Sequence, residues 1–225
     1  MNSKKKFILA SILLILLVVL GINILDNNNQ SQSLTVSTSQ NQLPIEPIRG
    51  SFVVDIDNKN EVVGLVDYVF VARVVSEEGT IYKNVVTMED ENGETREAGS
   101  AYTNYKIEVL DNIKGNLKKE EPFEILKQGG ISLDKKTIQV FEDDYLPEVN
   151  NSYIFLGYGQ EDGSILISGS NSNILVNTPD SPNEQSLLSV EKEITASEEY
   201  KAYQDAFENQ VEIVQRERFA SKFEE

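Results

Sequence analysis

The sequence predicts a mainly β domain, a sandwich or small antiparallel barrel, followed by C-terminal helices and preceded by one transmembrane helix. Three observations carry that reading. Short apolar or alternating runs recur between Gly, Asn and Asp turns from Asp67 to Val176, the pattern of an all-β sheet folded on itself. An apolar stripe at three- and four-residue steps appears only after Thr195, the period of a helix. An apolar run from Phe7 to Leu25 follows Lys4-Lys5-Lys6, long enough for a bilayer.

As a helix, Phe7–Leu25 spans about 28 Å at 1.5 Å per residue. The lysines on its N-terminal flank keep that end in the cytoplasm and place the bulk of the chain outside. A cleaved signal peptide has a shorter apolar core and a small-x-small site. No such site directly follows Leu25, so residues 1–25 read as a single-pass anchor with an extracellular C-terminal domain; cleavage would make the protein secreted. Residues 26–51 are rich in Asn, Gln, Ser and Thr, with Pro44 and Pro47. They bury too little apolar surface to offset chain entropy and read as a flexible tether with a span of about 28 Å.

Residues 52–179 read as the β domain. Phe52–Asp55 suggests a short strand, and Asp57 a cap for a helix running to Val66. Asp55 and Asp57 alternate as in a calcium loop, but Lys59 and Asn60 occupy the places where that loop needs an acid and a Gly. Asp67–Val75 is the strongest strand, with Val69 and Val71 on one face and Tyr68, Phe70, Ala72 and Val74 on the other. Two apolar faces mean cover on both sides or a curl into a barrel. Arg73 reads as a snorkelling strand-end charge. Ile81–Met88 and Glu94–Ser100 form a weaker, acidic hairpin about Asn92-Gly93.

The stretch that organises the domain is Tyr102–Gly130. Thr103, Tyr105, Ile107 and Val109 alternate with Asn104, Lys106 and Glu108, a half-buried strand. Lys114-Gly115-Asn116 reverses the chain, and Phe123, Ile125 and Lys127 return it. Gly129-Gly130 is either a plain turn, the favoured reading, or a place where another backbone passes close. Lys136–Phe141 suggests an edge strand, and Glu142-Asp143-Asp144 a solvated acidic loop. Tyr153–Tyr158, Ser164–Ser168 and Ile174–Val176 are closing strands, the first two joined at Asp162-Gly163.

Residues 180–225 read as a helical tail. Asp180–Asn183 breaks the sheet pattern, and Leu187–Ile194 forms a short helix. Thr195 and Glu198 have capping-box spacing for a long helix to Phe223. Its stripe, Tyr200, Tyr203, Phe207, Val211 and Val214, is expected to pack on the barrel; it lacks the sustained heptads of a coiled coil.

Composition bounds the chemistry. The 37 acids and 20 bases leave a net charge of −17, which argues against nucleic acid as a partner. The chain has no His and no Cys. That removes imidazole bases, thiolate nucleophiles, thiolate metal sites and disulfides together. No spacing singles out a catalytic, cofactor-binding or metal-binding residue. The expectation is a non-enzymatic module, held to the membrane through Phe7–Leu25, that binds an envelope protein or glycan; the nine tyrosines offer amphipathic contacts. The alternatives are a hydrolase using carboxylates or a Ser-Lys pair, and an assembly role for the C-terminal helix.

The order of elements carries a resemblance. Asp67–Val74, Tyr102-Thr103 leading to Val109-Leu110 and Lys114-Gly115, Gly129-Gly130, and Leu146-Pro147 before Tyr153–Leu156 resemble a group of exported Gram-positive proteins. The ectodomain of that group is similar to the OB-like barrel of netrin modules and tissue inhibitors of metalloproteinases. The resemblance covers about residues 60–177 and implies an OB-like barrel of five or six strands at the cell surface, with no activity attached. Ala72-Arg73-Val74 departs from the Gly-Lys-Val that commonly ends the group's first strand. The inhibitors' zinc chelation needs an N-terminal Cys, which this chain lacks.

Overall fold

The computed structural model describes residues 43–89, 92–119, 121–177 and 187–225. The expected anchor at Phe7–Leu25, most of the tether and the Asp180–Asn183 break lie outside the described residues. Among the described residues no helix is long and apolar enough to cross a membrane.

Two long strands dominate. β2 (Tyr68–Glu89) and β3 (Thr95–Lys114) pair antiparallel from Val69↔Lys114 to Glu89↔Thr95. The sequence breaks this ribbon into separate strands; the chain does not. Register shifts at Val74/Ser76, Glu77/Gly79 and Lys83/Val86 interrupt the alternation, and a bulge switches which face the following residues occupy. Gly79 and Asn84 take positive φ there.

The ribbon opens a ring. β3 pairs with β4 (Phe123–Gln128), β4 runs parallel to β8 (Ile165–Ile167), β8 pairs with β7 (Ser152–Gly159), and β7 returns to β2. β9 (Asn173–Asn177) adds to β7 outside the ring. Closure is partial. Only Leu126 and Lys127 of β4 pair with β8, so among the described residues Phe123–Ile125 have no strand partner on that side. Inside the ring lie Tyr68, Phe70, Tyr105, Ile107, Phe155 and Ile167 among others. The inward alternation of Thr103, Tyr105, Ile107 and Val109 holds, and all four are buried.

A second sheet has three strands. β1 (Ile45–Ile48) lies parallel to β6 (Ile138–Phe141), and β5 (Gly130–Ile131) pairs on the other side of β6. Three expectations change here. β6 is the central strand of its sheet, not an edge. Ile45–Ile48, inside the stretch read as tether, docks as a strand. Phe52–Asp55 is not a strand; Phe52 instead tilts against Phe141 at 6.0 Å. Gly129-Gly130 is a close approach as well as a change of direction. A Cβ on Gly129 would meet the Gln139 carbonyl at 2.8 Å, and one on Gly130 the Thr103 hydroxyl at 2.5 Å. Packing, not turn geometry alone, requires glycine there.

Helices cover the outer face of the ring. α1 (Lys59–Leu65) is capped by Asn58, one residue beyond the expected Asp57; Asn58 Oδ1 accepts the Asn60 N–H at 3.1 Å. α2 (Leu187–Ala196) and α3 (Glu198–Glu208) follow the sheet. Val63, Ile194, Tyr200 and Tyr203 pack with Val69, Val71 and Ile154 in a second core, which is why β2 and β7 are apolar on both faces.

The tail differs most from its sequence reading. Ser197, not Thr195, caps α3, accepting the Tyr200 N–H at 3.2 Å, while Thr195 donates back to the Glu191 carbonyl at 2.9 Å. The helix stops at Glu208. Tyr200 and Tyr203 are buried as expected, but Ala206 rather than Phe207 completes the buried face. Residues 209–225 form no helix and run back along the ring. Arg216 and Arg218 draw them in, because the last turn of α1 offers free carbonyls. Arg216 Nε donates to Leu65 O at 3.0 Å, and Arg218 donates to Gly64 O at 2.7 Å and Val66 O at 3.0 Å. Both arginines also reach Asp67, at 2.5 and 2.8 Å. The tail's backbone fits only because two glycines leave room. A Cβ on Gly64 would meet Val211 O at 2.1 Å, and one on Gly159 would meet Phe219 O at 1.8 Å.

Candidate binding groove at the opening of the ring

The incomplete pairing of β4 and β8 leaves a groove of about 650 Å³. Ile81 and Lys83 of β2 border it, with Asn104 and Lys106 of β3, Pro122, and Phe123–Leu126 of β4. Asp162 and Ser164 of the β7–β8 turn and Lys222 and Phe223 of the tail close the other side. The tail is fixed there by backbone bonds. Lys222 N–H donates to Gly163 O at 3.0 Å, Lys118 N–H to Phe223 O at 2.9 Å, and Glu225 N–H to Asn116 O at 3.1 Å. The Tyr68 hydroxyl accepts the Ser221 N–H at 2.6 Å and donates to Glu224. Burial and the neighbouring Glu224 push the Tyr68 phenol well above the ordinary tyrosine range. Phe223 stacks on Phe123 with ring centroids 4.3 Å apart, forming an apolar floor.

The groove is locally basic in an acidic chain. Three ammonium groups, Lys83, Lys106 and Lys222, face two carboxylates, Glu124 and Asp162. Among the described residues none of the three lysines has a carboxylate within 4.0 Å. Two are held over rings instead, Lys83 over Tyr102 at 5.0 Å and Lys222 over Phe223 at 5.2 Å. Asp162 is committed to its own turn, accepting the Ser164 N–H at 2.9 Å and hydroxyl at 2.5 Å. Those bonds, with Lys222 and Lys83 nearby, hold its carboxyl below the usual range.

A second polar constellation is buried. Lys127 and Asp144 form an ion pair with both side chains at 0% exposure. Lys127 Nζ also donates to Ser172 Oγ at 2.6 Å. Burial pulls the Lys127 ammonium down and pushes the Asp144 carboxyl up, each opposed by the charge of its partner. This corrects the solvated reading of Glu142-Asp143-Asp144: Glu142 and Asp143 are exposed, while Asp144 turns inward. A signal was available, since Lys127 falls in phase with Phe123 and Ile125 on the inward face of β4.

The other singled-out residues serve structure. Asp55 Oδ1 accepts the Asp57 N–H at 3.0 Å, and the Asp55 N–H donates to Glu61 at 3.0 Å, which fixes the entry to α1. Arg73 pairs with Glu108 across the ribbon at 2.9 Å. Lys114 donates to Val63 O at 2.6 Å and Gln210 at 2.8 Å, and burial, with Arg218 beside it, lowers its ammonium to about 8. Among the described residues no three acids converge as a metal site. The groove itself escapes sequence reading because its lysines lie far apart in the chain, on β2, β3 and the tail.

No known family model matches the chain, and no curated protein matches it.

Proposed function

We propose that this chain is an extracellular, membrane-anchored binding module built on an OB-like barrel, and that it presents the groove over β3 and β4 to another envelope component, a protein or a glycan. The strand cycle β2-β3-β4-β8-β7, with its one parallel contact at β4–β8, supports the OB-like description. OB barrels use the face of their second and third strands and the adjoining loops for ligands; β3 and β4 hold those places here. The anchor rests on Lys4–Lys6 and the apolar run Phe7–Leu25.

The observation that carries the reading is the groove: open, partly apolar, and lined by three lysines that make no ion pair within 4.0 Å among the described residues. Fold likeness alone does not assign a ligand. The Ser-Lys form of the hydrolase alternative would rest on Lys127 and Ser172, which sit at 0% and 2% exposure with no room for a substrate carbonyl. The tail packs on the ring through Tyr200, Tyr203 and Phe223, which leaves less apolar surface for assembly.

Photo-crosslinking on intact cells tests the proposal. A photoreactive residue replaces Lys106 in the groove or, as control, Lys201 on the exposed side of α3. Capture of a defined envelope component from position 106 and not from 201 is the expected result. Equal capture from both positions, or none from 106, removes the groove as the binding surface.

A further inference from the structure

Resting on that reading, we propose that the groove takes an extended, acidic segment of a protein partner as an added strand along the free edge of β4. Three observations converge on this occupant. First, β4 is paired along its whole length with β3, but on its other side only at Leu126 and Lys127. Among the described residues Phe123–Ile125 therefore present about 10 Å of unpaired strand edge at roughly 3.3 Å per residue. Such an edge is a template for main-chain pairing, and a peptide that adds to it gains backbone hydrogen bonds with side-chain selection at alternate positions.

Second, the side chains around this edge select for acid. Among the described residues Lys83, Lys106 and Lys222 make no ion pair within 4.0 Å, and the groove gathers all three in a chain whose net charge is −17. Tyr102 and Phe223 hold two of these ammonium groups over their rings, which positions the charge without cancelling it. Among the described residues an incoming carboxylate competes there only with Glu124, opposite Lys106 in the register, and Asp162, which is committed to its own turn.

Third, the groove has an apolar side. Ile81 is 40% exposed and Phe223 is half-buried against Phe123. A strand with acidic residues on one face and apolar residues on the other matches this division, because its side chains alternate. An acidic glycan would satisfy the lysines but not the open main-chain edge, and that difference favours the peptide.

The test uses the full-length chain in detergent micelles and two fluorescent probes: a peptide alternating Glu and Val, and an acidic glycan, polygalacturonate. The expected result is saturable binding of the peptide, weakened about tenfold or more by Lys106→Glu, less by Lys106→Gln, and relieved by salt. Proline or N-methyl residues at alternate positions of the peptide abolish binding on one alternation and not on the other, as strand addition requires. Circular dichroism confirms that the variants fold. Peptide binding indifferent to Lys106→Glu or to N-methylation overturns the inference. If the glycan binds through the lysines and the peptide does not, strand addition fails while the groove remains a binding surface. If neither probe binds and position 106 captures nothing on cells, the function reading falls as well.

Discussion

The Lys127–Asp144 pair offers a sharp test of how this ring is held. Both side chains have lost all contact with solvent, and Asp144 Oδ1 already has no hydrogen-bond partner. Lys127→Met keeps most of the buried volume and removes the charge. Asp144 is then left with Ser172 and backbone alone, a buried carboxylate without a counter-ion. Breaking a buried pair from one side costs about 3–5 kcal/mol, whereas replacing both partners by apolar residues of similar size is close to neutral. Lys127→Met should therefore lose about 3–5 kcal/mol in urea unfolding followed by far-UV circular dichroism, while Lys127→Met/Asp144→Leu should lie within roughly 2 kcal/mol of the parent. The pH dependence has a definite sign. In the Lys127→Met chain the carboxyl of Asp144 is raised above its unfolded value, so the fold favours its protonated form. The deficit is then smallest in acid and grows as pH rises through the folded value. A loss below about 1 kcal/mol for the single substitution, or a double variant as unstable as the sum of both singles, refutes the buried-pair account.

Three further outcomes follow from the tail and its contacts. Gly159→Ala puts a Cβ 1.8 Å from Phe219 O, so hydrogen exchange should show residues 216–223 released while the amides of β2 and β7 stay protected. Phe223→Ala removes the ring stacked at 4.3 Å on Phe123; unfolding should show a loss of about 1–3 kcal/mol. Lys114, lowered to about 8, is disfavoured as a cation by the fold. Because the unfolded lysine keeps its proton to a higher pH, stability should rise between about pH 8 and 10, and Lys114→Met should flatten that rise in pH-resolved unfolding curves.

Much of the β framework was legible because its signals are local. The alternation of Thr103, Tyr105, Ile107 and Val109 depends on neighbouring residues alone, and so does the double apolar face of Asp67–Val75. Both survive in the fold, where the second face meets helices rather than another sheet. The misreadings share one cause, which is contact between residues distant in sequence. Nothing near Arg216 and Arg218 reveals that the carbonyls of Gly64, Leu65 and Val66 will end the helix early. The double glycine Gly129-Gly130 allowed a close approach, but nothing near it shows that Thr103 and Gln139 are what passes against it. The long ribbon looked like separate strands, with one hairpin about Asn92-Gly93, because bulges near Gly79 and Asn84 break the period without ending the strand. Asp144 looked wet beside Glu142 and Asp143, and only its partner on β4 makes it dry. The groove needed all of this at once, since its three lysines meet only when the ring forms and the tail lies across it.

The most direct measurement is hydrogen–deuterium exchange on the full-length protein before and after it is loaded with the component captured from position 106. The account predicts new protection at residues 104–106 and 122–126 and in the 162–164 turn, with the distal ribbon near Glu89 and Thr95 unchanged. Protection confined to that distal ribbon, or to the outer face of α3, would contradict it.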